Sequence, residues 1–289
     1  MTRGRRWLAA GALLLAAWPA AVAARVGWRT AASLHPPRQR PAPPREADGF
    51  EEVAFRARDG TPLSGAYRAS ANGAVVLFGH GYGGNRDDMR PQAEALIRRG
   101  YGVLLFDWRG HGASGGERTT WGADETSDLE GALDLACPRT GRRCGAVGFS
   151  MGGMVLAQVA ARDPRLGAIV LEGTPRSLAD MLRHDERRHG ALGAWAAAST
   201  LRLLGVPAAS VRPIAVTCAI SPRPLLLVYG DRDEALAAGT GEDMLAAACA
   251  PKRLHLLRGA THLTYATAPE SDLAETLVSF FDAALAEPR

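Results

Sequence analysis

Of the 34 basic side chains in this 289-residue chain, only Lys252 is a lysine; the rest are arginine. With alanine so abundant, that bias reads as genomic base composition rather than function. The arginines form no dense block. A net charge of +4 and a pI near 9.1 therefore point away from a nucleic-acid-binding stripe. No Cys-x-x-Cys and no His/Cys cluster is present, so no structural metal and no cofactor is expected. Internal repeats are absent too, which excludes a solenoid. What is there, 47% hydrophobic and 22% charged residues, suits one large globular domain.

The first 24 residues carry a separate signal. Arg3, Arg5 and Arg6 precede an apolar run from Trp7 to Ala24 that ends in Ala21-Val22-Ala23, a small-x-small cleavage pattern. The run has no polar face, so it reads as a signal peptide or an uncleaved membrane anchor rather than a core helix. Either puts the rest of the chain outside the cytoplasm, in the cell envelope. In that setting four cysteines suggest disulfides, and the expected pairs are Cys137 with Cys144 and Cys218 with Cys249. Buried free thiols are the alternative. Residues 25–49 contain "LHPPRQRPAPPREADG" and are expected to form an extended tether.

From Phe50 onward the pattern is that of a domain. "FEEVAFRARDGTPLSGAYRAS" alternates and is split by Asp59-Gly60, a hairpin signal. Buried strands such as "AVVLFG", "GVLLF", "GAIVLE" and "LLLVYG" then alternate with amphipathic helices. This order predicts an α/β domain over 50–289, with a mostly parallel sheet covered on both faces. Residues 174–222 interrupt the alternation with helical segments and are expected to form a small cap above the carboxyl ends of the strands.

The chemistry concentrates at "CGAVGFSMGGMVLAQ". Gly148-x-Ser150-x-Gly152 falls where a strand becomes a helix, the setting of a nucleophilic serine on a sharp turn. A serine needs a base and an acid that orients it, and on this pattern they follow in the order acid, then histidine. "LLLVYGDRDE" offers Asp233, with Asp231 as the shaper of the turn; Glu172 is the outlying alternative. "GATHLTY" offers His262. His255 falls inside a strand, His184 and His189 in a charged cap segment, and His35 in the tether. Oxyanion donors are expected from the backbone of Met151, after the nucleophile, and of Tyr82 in "FGHGYGGN".

Together "FGHGYGGN", "FDWRGHGASGG", "GFSMGG", "YGDRDE" and "GATHL" resemble the α/β-hydrolase superfamily. They are most similar to the serine aminopeptidase-like and monoacylglycerol-lipase-like hydrolases. The resemblance covers roughly Phe50 to Leu285. It implies an eight-stranded sheet and a Ser150–His262–Asp233 triad, and gives Arg109 and His111 structural roles. It departs at the acid loop, where the family often has a proline and this chain has "EALAAG". The "LHPPR" stretch after an apolar helix resembles membrane-anchored members. Hydrolysis of a small or lipid-like acyl ester is the expected reaction. A peptidase or acyltransferase with the same triad, or a non-catalytic envelope binding module, is the alternative.

Overall fold

Short strands, most of them rich in branched and aromatic residues, assemble into one eight-stranded sheet in the order β1-β2-β4-β3-β5-β6-β7-β8. The structure is a computed structural model describing residues 3–43, 48–139 and 144–285, with backbone alone for residues 3–16. The strands are β1 (Glu51–Arg56), β2 (Pro62–Arg68), β3 (Val75–Gly79), β4 (Gly102–Phe106), β5 (Cys144–Phe149), β6 (Leu166–Glu172), β7 (Leu225–Gly230) and β8 (Lys252–Leu257). β1 and β2 form an antiparallel hairpin, and β2 runs antiparallel to β4. From β4 through β8 every pairing is parallel. The hairpin turns at Asp59, whose Oδ1 accepts from the Thr61 N–H at 3.1 Å.

Helices cover both faces, because parallel strands buried on both sides need two apolar covers. One face carries α2 (Arg90–Arg98) and α9 (Leu273–Leu285). The other carries α3 (Glu125–Ala136), α4 (Met151–Ala160) and α8 (Thr240–Ala247). Between β6 and β7 lie α5 (Leu178–Asp185), α6 (Gly190–Leu203) and α7 (Pro213–Val216), the helical pieces of the segment 174–222. The structure joins Cys137 to Cys144 and Cys218 to Cys249.

At the amino end the structure departs from the sequence reading. Residues 25–49 do not begin as an extended tether: α1 (Arg3–Ala32) continues to Ala32. The first proline pair is Pro36-Pro37, and nothing before it breaks the hydrogen bonding of residues 25–32. α1 packs along α6, with Val22 and Val26 buried. The segment after it is fastened to the domain: the Thr119 N–H donates to Leu34 O at 2.8 Å, and Arg38 Nη1 donates to Ser114 O at 2.7 Å. The expected signal or anchor over residues 1–24 falls mostly on residues whose side chains lie outside those described. Among the described residues, no helix is long and apolar enough to cross a membrane.

Candidate active site

Ser150 stands between β5 and α4 with φ 51° and ψ −113°, a left-handed conformation for a residue with a side chain. Such strain persists only where the surroundings impose it. Here they do: a Cβ at Gly148 would meet the Gly152 carbonyl, and one at Gly152 would meet the Gly79 carbonyl. Only glycine lets the helix press this closely on the sheet, so the turn is tight and the serine is lifted above it. The Ser150 N–H is anchored on Glu172 O at 2.8 Å.

Two later loops bring the other groups. His262, after β8, has Nε2 3.0 Å from Ser150 Oγ and Nδ1 2.7 Å from Asp233 Oδ2, after β7. A carboxylate only accepts, so Nδ1 carries the proton and Nε2 accepts from the serine hydroxyl. Asp233 is almost wholly buried, yet every side of its carboxylate is met. Oδ1 accepts from the Ala235 N–H at 3.0 Å, and Oδ2 also accepts from Tyr265 Oη at 2.8 Å. Burial, then the neighbouring Asp233 charge, pushes the Tyr265 phenol far up, so it stays protonated and donates. Its oxygen in turn accepts from the Gly230 N–H at 3.0 Å.

Asp231 lies outside this line and accepts instead from the Gly259 N–H at 2.7 Å. Glu172 does not reach His262; its carboxyl points to Gln92 at 3.5 Å. His255 bonds Asp272 from within β8, His184 bonds Glu234 O, His189 bonds Glu186, and His35 bonds Glu117 O. Arg109 is held in a buried ion pair with Asp128. The histidines and the arginine outside the Ser150 line thus have partners away from it.

The Met151 N–H belongs to the first turn of α4, at the positive end of the helix, where no side-chain cap is made. The Tyr82 backbone is set by its neighbours. His80 is fully buried, and burial with the adjacent His111 drops its pKa to about 3, so it is neutral. Its Nε2 accepts from the Trp108 N–H at 3.3 Å, which leaves Nδ1–H to donate to Gly81 O at 2.7 Å. The Tyr82 ring stacks on Trp121 at 4.1 Å between centroids. Trp121, itself at φ 57°, lies on a loop gathered by buried Glu125, which accepts from Thr119 Oγ1, Thr120 Oγ1 and the N–H groups of Thr120 and Gly122.

Tyr265, Trp121 and Glu125 were not singled out in the sequence. "THLTY" and the acidic start of α3 are present, but nothing local ties them to the site. Two clefts meet at His262 and Leu263. One of about 390 Å³ runs along Gly81, Tyr82 and Phe149; the other, about 1290 Å³, runs between the Asp233 loop and His184 and Arg187 of the segment 174–222. Among the described residues no group of side chains could hold a metal ion.

The chain has relatives. A family model described as serine aminopeptidase, S33, matches residues 70–217. The uncharacterized protein YfhR of Escherichia coli (strain K12) is 29% identical over 247 residues, 81% of each chain. The uncharacterized protein MT2364 of Mycobacterium tuberculosis is 30% identical over 218 residues, 73% of this chain and 72% of that one. Among solved structures, the esterase Pf2001 of Pyrococcus furiosus superposes with a TM-score of 0.72 at 24% identity, covering 87% of this chain and 98% of the esterase.

Proposed function

Because the chain belongs to the serine aminopeptidase S33 family of α/β-hydrolases, we propose that it is a serine hydrolase cleaving carboxylic esters of small or lipid-like acids through an acyl-enzyme. The observation that carries this reading is the unbroken hydrogen-bonded line from Asp233 through His262 to Ser150. It opens on clefts large enough for an ester.

In the proposed cycle His262 Nε2 takes the Ser150 proton as Oγ attacks the ester carbonyl. The developing oxyanion is met by the N–H groups of Met151 and Tyr82, each worth about 3–4 kcal/mol in the transition state. Asp233 keeps the imidazole in the tautomer that accepts, and stabilises the imidazolium. His262 then gives the proton to the leaving alcohol and activates the water that releases the acid.

The test is direct. A fluorophosphonate probe labels Ser150, and Ser150→Ala or His262→Ala removes turnover of p-nitrophenyl butyrate. A purified Ser150→Ala protein that keeps most of that turnover overturns the proposal. Absence of labelling favours a binding module on a hydrolase fold, and faster turnover of aminoacyl p-nitroanilides than of esters favours a peptidase.

The same proposal sets the domain in the cell envelope. Its support is the arginine-led apolar amino end and the two cysteine pairs. Four freely alkylated thiols in protein taken from cells without reductant would count against it.

A further inference from the structure

Phe149 closes β5 and stands one position before the nucleophile, yet no step of the proposed cycle uses its side chain. Its ring is held from two sides. A Cβ at Gly81 would lie 3.0 Å from Phe149 Cδ1, and a Cβ at Gly173 would lie 3.3 Å from Cε2. Those atoms are opposite corners of the ring. Two glycines, one in the Tyr82 loop and one just past β6, therefore leave the ring the room it fills. Gly173 is also at φ 50°, where a side chain would be strained. A ring placed between two backbones beside the nucleophile has little freedom to turn.

What the ring lies against is the base. The Phe149 and His262 ring centroids are 4.9 Å apart and the planes meet at 38°, nearer to stacked than to edge-on. Tyr265 meets the same imidazole edge-on, at 6.3 Å and 81°, and meets Phe149 at 5.5 Å and 68°. The face of an aromatic ring is negative and attracts a cation within about 6 Å of its centroid. A neutral imidazole gains packing from that face. Once His262 has taken the Ser150 proton, the imidazolium gains the electrostatic attraction as well. An interaction that strengthens as the reaction proceeds lowers the barrier. Asp233 acts on the same charge from the Nδ1 side. His184, Arg187, Asp231, Arg232, Glu234 and Glu242 line the larger cleft that His262 also lines, and substitution at residue 149 leaves all of them in place.

We propose that Phe149 is a positioning residue for the base: its ring holds the His262 imidazole in the line from Asp233 to Ser150 and, through its face, favours the imidazolium that forms as Ser150 attacks. This rests on the ester-hydrolase reading above. The direction of the pH effect follows. Without the ring face the imidazolium is less favoured, so His262 gives up its proton at lower pH and the acid limb of kcat/KM moves down. The same loss weakens His262 as a base, so kcat on the plateau falls.

The experiment replaces Phe149 with 3,4,5-trifluorophenylalanine, which keeps the shape of the ring and strips the negative charge from its face. Turnover of p-nitrophenyl butyrate is measured across pH in the full chain. The fluorinated protein is expected to lose about threefold in kcat, and its acid limb should move about half a pH unit lower. Phe149→Leu should change both in the same direction, and Phe149→Tyr, which keeps an electron-rich face, should restore them. If Phe149→Leu does not fold by circular dichroism, the fluorinated protein, matched in shape, carries the comparison. A fluorinated protein with the wild-type kcat and acid limb overturns the inference and leaves Phe149 as packing. So does an acid limb that moves to higher pH. The His262 Cε1–H resonance, assigned by its loss in His262→Ala, is titrated by NMR in parallel, and its midpoint should fall in the fluorinated protein whether or not ester is turned over. Absence of turnover and of Ser150 labelling in the wild-type protein condemns the hydrolase reading; an unmoved His262 midpoint condemns the Phe149 contact.

Discussion

At the scale of single residues, the group that most sharpens the site is Tyr265. Its phenol gives Asp233 Oδ2 a second donor beside His262 Nδ1 and fixes the carboxylate between two loops. A hydrogen bond to a charged acceptor is worth about 1.5–3 kcal/mol. Tyr265→Phe keeps the ring, which packs edge-on to Phe149. Without the hydroxyl, kcat for p-nitrophenyl butyrate should fall about tenfold, with KM little changed. The direction of the pH effect also follows. A carboxylate that has lost a donor holds a proton on the imidazole more strongly, so the acid limb of kcat/KM should move to higher pH. Equal losses at every pH would reduce Tyr265 to a packing residue. Ser150 and its glycines were legible in the sequence because their constraint is local: a tight turn within five residues. His262 and Asp233 were legible through order, since each follows a strand. Tyr265 and Trp121 were not, because their value comes from partners 32 and 39 positions away and no motif marks them.

At the scale of elements, the end of β6 stores a cost that pH reveals. Glu172 has an ordinary value of 4.5 in the unfolded chain and about 8 when folded. Between those values the folded protein keeps a proton that the unfolded chain has lost. Stability attributable to this group therefore falls as pH rises through that window and is flat above it. Over the whole window the effect amounts to roughly a few kcal/mol. Glu172→Gln lacks the slope, so its melting temperature should gain on wild type from pH 5 to pH 8 and hold level beyond. A gap that stays constant with pH would show that Glu172 is ionised in the fold. The loop between α7 and β8 offers a second element-level prediction. Cys218–Cys249 closes 31 residues that include β7 and α8. On the loop-entropy account the bond stabilises by about 3–4 kcal/mol. Cys218→Ser with Cys249→Ser should lower the urea midpoint accordingly, whereas an unchanged midpoint would show a bond that constrains nothing. Most of these elements were readable, because buried strands and amphipathic helices differ in period. The exception is residues 25–32: the prolines from Pro36 onward suggest an extended segment, but no proline lies within 25–32 and α1 continues to Ala32.

At the scale of the whole molecule, the amino-terminal helix and the Trp121 loop are one packed system. Val26 and Leu34 are buried, and α1 lies against α6. Just beyond α1, Ser33 Oγ accepts from Trp121 Nε1 at 3.3 Å. Trp121 is the ring on which Tyr82 stacks, so the chain near residue 33 helps hold the loop that supplies one proposed oxyanion donor. Loss of the buried Val26 and Leu34 side chains costs about 1.5–3 kcal/mol each. For a domain of this size that is a fall in melting temperature on the order of 10 °C. A protein beginning at residue 41 should show that fall, and its kcat for p-nitrophenyl butyrate should drop because Trp121 has lost its anchor. A protein beginning at residue 25 retains Val26, Ser33 and Leu34. It should melt near the full-length value with nearly full turnover, since removing the apolar run through Ala24 takes away only the buried Val22 among these described contacts. The two truncations, compared by calorimetry and kinetics side by side, separate a helix that merely precedes the domain from one whose last turns belong to it. If both proteins behave as the full chain does, the contact between Ser33 and Trp121 has no bearing on the site.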